Sequence, residues 1–542
     1  MDQNKIKNIT LSFLIIFSVY CALTMGMSWD ELLHLEWGNK RLKYLLSFGS
    51  YDYHGGSDQG FYPSFYDTLL AFVTKLFPKK FEIETLHLVN YSFSLFSIFG
   101  ISKISSELFN KKIGKIVFVL SFLNPAFFGH MAINQKDMII AFANIWTTYL
   151  IIRYLKNQEI DEKRKNYVLL AGLVVGLGLG VRIVFLGSLI PIFIISFLDI
   201  IFFKKLVSKQ FTFNKLIIDI LKILVISYII MISCWPETHS NIFILPFKLL
   251  IESFGENTGG VSTSLLNGSF YNTSETPKFY LLINLLYKLP EFILFSYLIF
   301  IFLILKNKVF FNLNFDFFNV KLLLVLFIIL FPNLIIFFSP YKIYDGIRFF
   351  LYLIPYICII PALVIYYLIV NYKFFINKIF LISVFSLFVI FFINFILLTP
   401  YQYTYLNALN GDFKKTHKKF ENDYWSVSMK ELVSKISNNK NLLNNSKLKL
   451  SFCGAPDDNV KIYLKKIKNF KFKQVNWITE DYDYIIMTNR VISADIGEDD
   501  IVEYNLSNAE TCFDRFKGTD IITVKRKGLI LSTLREKISN EK

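Results

Sequence analysis

Residues 9–31 read ITLSFLIIFSVYCALTMGMSWDE. Positions 9–27 carry no charge, and the acid pair Asp30-Glu31 follows at once. A membrane helix needs about 20 mostly apolar residues, so this stretch predicts a first span with two carboxylates just beyond its end. Trp29-Asp30-Glu31 follows the run where a cleavable leader would carry small residues, so the helix is read as retained.

The pattern recurs along the chain. Apolar runs fall at roughly 85–104, 114–129, 138–152, 167–181, 183–203, 216–235, 280–305, 321–338, 349–370 and 379–399, for about eleven spans. Of 542 residues, 54% are hydrophobic and 18% charged, with 59 Phe and a mean hydropathy of +0.45. A soluble domain carries about 25% charged residues, so a soluble enzyme, a disordered chain and a disulfide scaffold are excluded.

Lys and Arg in short loops predict the orientation. Lys5 and Lys7 precede the first run. Lys111, Lys112 and Lys115 separate the second from the third, and Arg153, Lys156, Lys163, Arg164 and Lys165 follow the fourth. Lys204, Lys205 and Lys209 follow the sixth, Lys306 and Lys308 the eighth, and Lys373 and Lys378 the tenth. Every second loop is basic, and such loops stay cytoplasmic. The net charge of +16 is therefore read as loop charge, and no nucleic-acid partner is expected. The outer loops are then 28–84, about 130–137, Arg182, 236–279 and 339–348. The first, with Gly49, Gly55, Gly56, Gly60 and Pro63 among aromatics, is expected to lie along the membrane surface.

Residues 400–542 hold 24 Lys+Arg and 19 Asp+Glu, a density expected of a water-soluble part. The predicted fold class is thus mainly α: a polytopic transmembrane bundle over 1–399 and a C-terminal extracytoplasmic α/β domain over 400–542. In the latter, Ser428 and Glu431 fit a capping box. Met429, Leu432, Val433 and Ile436 fit the stripe of an amphipathic helix. Strands are expected at Leu448–Cys453, Tyr484–Met487 and Ile521–Lys525, with turns at Asp457-Asp458 and Gly497–Asp500. Cys453 and Cys512 would pair in an oxidising compartment.

Ionisable groups at the ends of apolar segments are costly and are functional candidates. Asp30, Glu31 and His34 share a face on a helical continuation and suit a general base, a divalent metal or a polar collar. Lys136 and Asp137 fill a short outer turn after His130. Lys342, Asp345 and Arg348 open a late helix and suit a phosphate or an interface anchor. Arg182 ends a glycine-rich helix, and Glu237 with His239 is a candidate metal pair.

Asp30-Glu31 after the first helix, an acid in the second outer loop and an Arg opening a late helix resemble the GT-C superfamily of membrane glycosyltransferases. The similarity is to bacterial relatives of the protein O-mannosyltransferases and of the lipid A aminoarabinose transferase. It extends to Tyr344–Phe350 with Pro355, to Pro400-Tyr401-Gln402-Tyr403 and to Glu421–Trp425. The resemblance implies a sugar donor linked to polyprenyl phosphate, transferred with inversion to an extracytoplasmic acceptor: lipid, glycan or protein. By it, Asp30 is the catalytic base, Glu31 the second acid, and Asp137 positions acceptor or metal. Arg348 lies at the donor phosphate, with Lys342, Arg182 and Lys136 as further phosphate-binding candidates. Glu31, His34, Glu237 and His239 are the candidate ligands if a divalent metal takes part. The implied location is the inner (plasma) membrane, with the active site and tail on the periplasmic side and membrane lipids as surroundings. The alternative class is a lipid or polysaccharide transporter or flippase, although transporters place their sites near mid-membrane.

Overall fold

The computed structural model describes residues 3–53, 59–255, 260–339, 341–371, 378–443, 447–468, 470–496 and 502–538. Gly55, Gly56, Lys373 and the expected turn at Gly497–Asp500 lie outside them.

The chain opens with α1 (Gln3–Thr24), α2 (Glu31–Leu46), α3 (Phe65–Thr74) and α4 (Glu82–Leu108). Next come α5 (Lys111–Phe122), α6 (Pro125–His130), α7 (Asp137–Asn157), α8 (Asp161–Leu179), α9 (Phe185–Leu198) and α10 (Phe213–Ser233). After α11 (Leu245–Gly255) and a hairpin of β1 (Thr263–Leu266) and β2 (Ser269–Asn272) follow α12 (Tyr280–Lys288), α13 (Glu291–Asn314) and α14 (Phe318–Phe338). The last apolar helices are α15 (Leu353–Ile357), α16 (Ile359–Val370) and α17 (Lys378–Leu397).

Every expected span is helical, but among the described residues six helices are long and apolar enough to cross a membrane. The difference has local causes. The 114–129 run is cut at Asn124, whose side chain accepts from the N–H groups of Ala126 and Phe127 and starts a new helix. The 280–305 run is cut at Pro290, which sets the start of α13. The α4 helix is long enough but carries Glu82, Glu84, His87 and Asn90. Helices α2 and α3, in the loop expected to follow the surface, pack on each other.

Burial is inverted at the rim. Helix α10 exposes Ile217, Leu221, Leu224, Val225 and Ile229, as lipid-facing surfaces do. The centre is the late segment Phe350–Val364, buried throughout. With α15 and the first half of α16 covered on every side, Arg348 is held at the mouth of this central element.

The tail contains α18 (Met429–Ser437), α19 (Lys440–Leu443), β3 (Leu448–Cys453), α20 (Asp457–Leu464), β4 (Phe472–Gln474) and β5 (Tyr484–Thr488). Short strands β6 (Val491–Ile492), β7 (Ala494–Ile496), β8 (Val502–Tyr504) and β9 (Glu510–Thr511) lead to β10 (Gly518–Arg526) and β11 (Leu529–Lys537). The main sheet runs β10-β11-β5-β3-β4, with β3 parallel to both neighbours and β11 antiparallel to both of its own. The three expected strands and the amphipathic helix form, and Met429, Leu432, Val433 and Ile436 are buried. Cys453 and Cys512 are disulfide-bonded.

Two local expectations fail. Ser428 makes no cap bond; its hydroxyl goes to Asp423 and Ser532, and Glu431 goes to Arg526 and Tyr401. Tertiary partners outcompete the capping box there. Asp457-Asp458 opens α20 rather than a turn, as acids at a helix N-terminus favour.

The tail grips the link between α1 and α2. Gly26 N–H donates to the Val427 carbonyl (3.1 Å), Met27 N–H to the Tyr463 hydroxyl (2.7 Å) and Asn459 Nδ2 to the Ser28 carbonyl (2.9 Å). A Cβ on Gly26 would meet the Val427 oxygen at 2.6 Å, so glycine permits the approach.

Candidate functional site

The link so gripped carries Asp30 to the edge of a cleft. This cleft is lined by Asp30, Glu31, His34, Lys136, Asp137, Arg182, Arg348 and Trp425, with Ser28 and the 133–135 turn. Five elements meet there: the start of α2, the turn before α7, the link between α8 and α9, the segment before α15, and the tail loop before α18 that carries Trp425.

Asp30 is the N-terminal flank of α2, and its side chain is 42% exposed. Arg348 Nη1 lies 3.8 Å from its Oδ2. Burial works to raise its pKa, but His34, Arg348, Lys136 and Arg182 outweigh that and hold the carboxyl below its ordinary 3.8. It is therefore ionised at neutral pH and reachable.

Glu31 is different: only 1% exposed, it accepts from Ser28 N–H at 2.6 Å and lies 3.0 Å from His87 Nε2. His87 Nδ1 is bonded to the Ala22 carbonyl, so the imidazole ties Glu31 to the end of α1. The Glu31 carboxylate thus braces the Asp30 turn. His34 is paired with Asp67 of α3 at 3.2 Å, a partner with no sequence signal beyond its place in the first outer loop.

The 131–136 turn is fixed from α4: Asn90 Nδ2 donates to the carbonyls of Met131 and Asn134. Asn134 and Asp137 bond reciprocally, side chain to backbone and side chain to side chain. Asp137 Oδ1 then receives Arg182 Nη1 at 3.2 Å, and the Arg182 guanidinium lies 5.3 Å over the Phe349 ring. Lys136 lies 4.4 Å over the Tyr62 ring, and among the described residues no carboxylate is within 4 Å of its amine. Burial, then Arg182, lowers its pKa to about 8.

Arg348 is buried, with its guanidinium against the rings of Tyr344, Phe349 and Trp425 and its Nη1 3.4 Å from Asp345 Oδ2. Asp345 has φ +60° and Gly346 φ +67°, the left-handed pair that turns the chain into this position.

Not all candidates converge. Lys342 does not line the cleft, because the Ile343 backbone is pinned by Thr276 and Tyr271 on the far side of the turn. Glu237 is engaged by Tyr53 (2.8 Å) and Arg41 (3.3 Å), and His239 by the Ile232 carbonyl. The four candidate metal ligands therefore do not form one donor set, and among the described residues no three His, Cys, Asp or Glu side chains are grouped for a metal ion. In the cleft itself Asp30 and the buried Asp137 each lie beside an arginine, Arg348 and Arg182, so the donors present do not suit a divalent cation.

Comparisons with known proteins bear on the fold. Residues 62–232 match the model of the Dolichyl-phosphate-mannose-protein mannosyltransferase family. The crystal structure of ArnT from Cupriavidus metallidurans bound to undecaprenyl phosphate superposes with a TM-score of 0.51, at 10% identity over 98% of each chain. The archaeal oligosaccharyltransferase AglB from Archaeoglobus fulgidus, in complex with an inhibitory peptide and a dolichol-phosphate, aligns with a TM-score of 0.48, at 10% identity over 89% of this chain and 69% of its own. No curated protein sequence matches. The resemblance to the GT-C membrane glycosyltransferases holds: the chain is a multi-pass membrane protein with that fold.

Proposed function

We propose that the chain transfers a sugar from a polyprenyl-phosphate-linked donor to an extracytoplasmic acceptor, with inversion at the anomeric carbon. The observation that carries this is Asp30, an ionised and accessible carboxylate in a cleft otherwise presenting Arg348, Arg182 and Lys136. The acceptor hydroxyl or amine gives its proton to Asp30 as it attacks the anomeric carbon. The bond from that carbon to the phosphate oxygen breaks on the opposite face, and the phosphate leaves as an anion. It needs cations rather than an acid, and charge-assisted bonds from the arginines supply that stabilisation. Donor binding also tunes the base: a phosphate sharing Arg348 and Lys136 loosens their hold on Asp30 and raises its proton affinity. Asp137 holds Arg182, and Glu31 with His87 holds the Asp30 turn. A metal is assigned no step, since the donor set does not suit one.

The same reading takes 1–399 as a catalytic membrane part and 400–542 as an extracytoplasmic part in the inner (plasma) membrane. Its support is geometric. Asp137 begins α7 at the cleft, while Arg153 and Lys156 lie near the other end with Glu107. At about 1.5 Å per residue that separation approaches the thickness of a bilayer core, and basic loops stay cytoplasmic, which supports reading the cleft as extracytoplasmic.

The test uses purified protein with an undecaprenyl-phosphate-linked sugar. Release of free undecaprenyl phosphate should require Asp30, and wild-type release by Asp30→Asn would end the assignment. Movement of intact donor across sealed vesicles without bond cleavage would support the transporter class instead. Lipid-linked sugars that accumulate when the protein is removed would identify the donor.

A further inference from the structure

Besides Trp425, which lines the cleft, the tail places one charged side chain behind it. Arg490 follows β5 and is only 5% exposed. Its guanidinium lies 4.4 Å over the ring of Trp29, the residue before Asp30. Its Nη1 donates to the Tyr424 carbonyl and lies 3.0 Å from Asp345 Oδ1. The other Asp345 oxygen accepts from the Trp425 indole (3.3 Å) and lies 3.4 Å from Arg348 Nη1. That same Arg348 nitrogen is 3.8 Å from Asp30. Charges alternate from the tail to the cleft: Arg490, Asp345, Arg348, Asp30.

Charge balance gives Arg490 its role. Asp345 is buried, and a buried carboxylate draws a cation strongly. Without Arg490, Asp345 would lean on Arg348 and on the buried Lys288, which it also attracts, and Arg348 would have less charge to offer an anion in the cleft. With Arg490 on the other oxygen, Asp345 is satisfied from behind. The other acid beside Arg490, Glu421, is occupied separately by Val491 N–H (3.0 Å) and the Ser264 hydroxyl (2.7 Å). The loop is also anchored, since Cys512 N–H donates to the Arg490 carbonyl (2.9 Å) and Cys512 is bonded to Cys453.

We propose that Arg490 is a positioning residue for donor phosphate: by satisfying Asp345 it leaves the charge of Arg348 available to the cleft, so the tail completes the anion site. The inference rests on the phosphate reading above.

Binding of undecaprenyl monophosphate to full-length protein in nanodiscs tests it without any sugar transfer. Arg490→Gln should bind about tenfold more weakly, the value of one charge-assisted hydrogen bond. Asp345→Asn with Arg490 intact should bind at least as tightly as wild type. The double variant should recover most of the lost affinity, because removing the acid removes the need for the second cation. A merely structural Arg490 predicts the opposite, a double variant no better than either single one. The inference is overturned if Arg490→Gln binds as wild type, or if Asp345→Asn weakens binding while the protein keeps its disulfide and melting temperature. A wild-type protein that does not bind the probe would instead overturn the phosphate reading itself.

Discussion

Asp30 and Glu31 are neighbours in sequence and opposites in environment. One is reachable and faces arginine; the other is sealed against His87. Asp30→Asn keeps the shape and removes the base, so turnover should fall by about 10²–10⁴-fold with donor binding retained, as measured by phosphate release and by binding of undecaprenyl phosphate. Arg348→Ala should raise the donor KM more than it lowers kcat, which initial rates at varied donor would show. Lys136 gives a pH signature. With its pKa lowered to about 8, mainly by burial, its positive charge is present below that pH and lost above it. Donor KM should therefore rise above about pH 8, and Lys136→Arg should abolish that alkaline limb. Asp30, held below 3.8, remains ionised across the same range and contributes no limb near neutrality. Candidate residues were legible as ionisable groups at the ends of apolar runs, since position against the bilayer is a one-dimensional property. Partners such as Asp67 and His87 were not, because nothing local marks which acid an imidazole will meet.

The helices that build the cleft depend on close approaches the hydropathy pattern does not record. Gly38 of α2 faces the Asp67 backbone of α3, and a Cβ there would collide with that carbonyl. Gly38→Ala should cost about 1–3 kcal/mol through overpacking and disturb the His34–Asp67 pair. Gly187, with nothing within 4 Å, is the control, and Gly187→Ala should be neutral or slightly stabilising. Thermal melts of the two detergent-purified variants would compare them. Apolar runs predicted where helices lie, yet Asn124 and Pro290 divided two of them. Both are standard helix starters, and each lay within a run read by hydropathy alone.

The tail is bonded to the α1–α2 link and reaches Asp345 through Arg490. The Cys453–Cys512 bond closes a loop of 59 residues, so reduction should remove about 2–4 kcal/mol and lower the melting temperature, seen by melting with and without reductant. A chain this apolar has few choices: apolar length demands helices in lipid. That much, with the acids and cations near helix ends and the strands of the tail, the amino-acid sequence determined by itself, because each is a matter of local composition or period. Only the tertiary structure decided that Lys342 and Glu237 stand apart, that Glu31 is buried against His87, and that Arg490 meets Asp345. These depend on which elements pack together, and residues 145 positions apart in the chain share an ion pair only once the tail has docked.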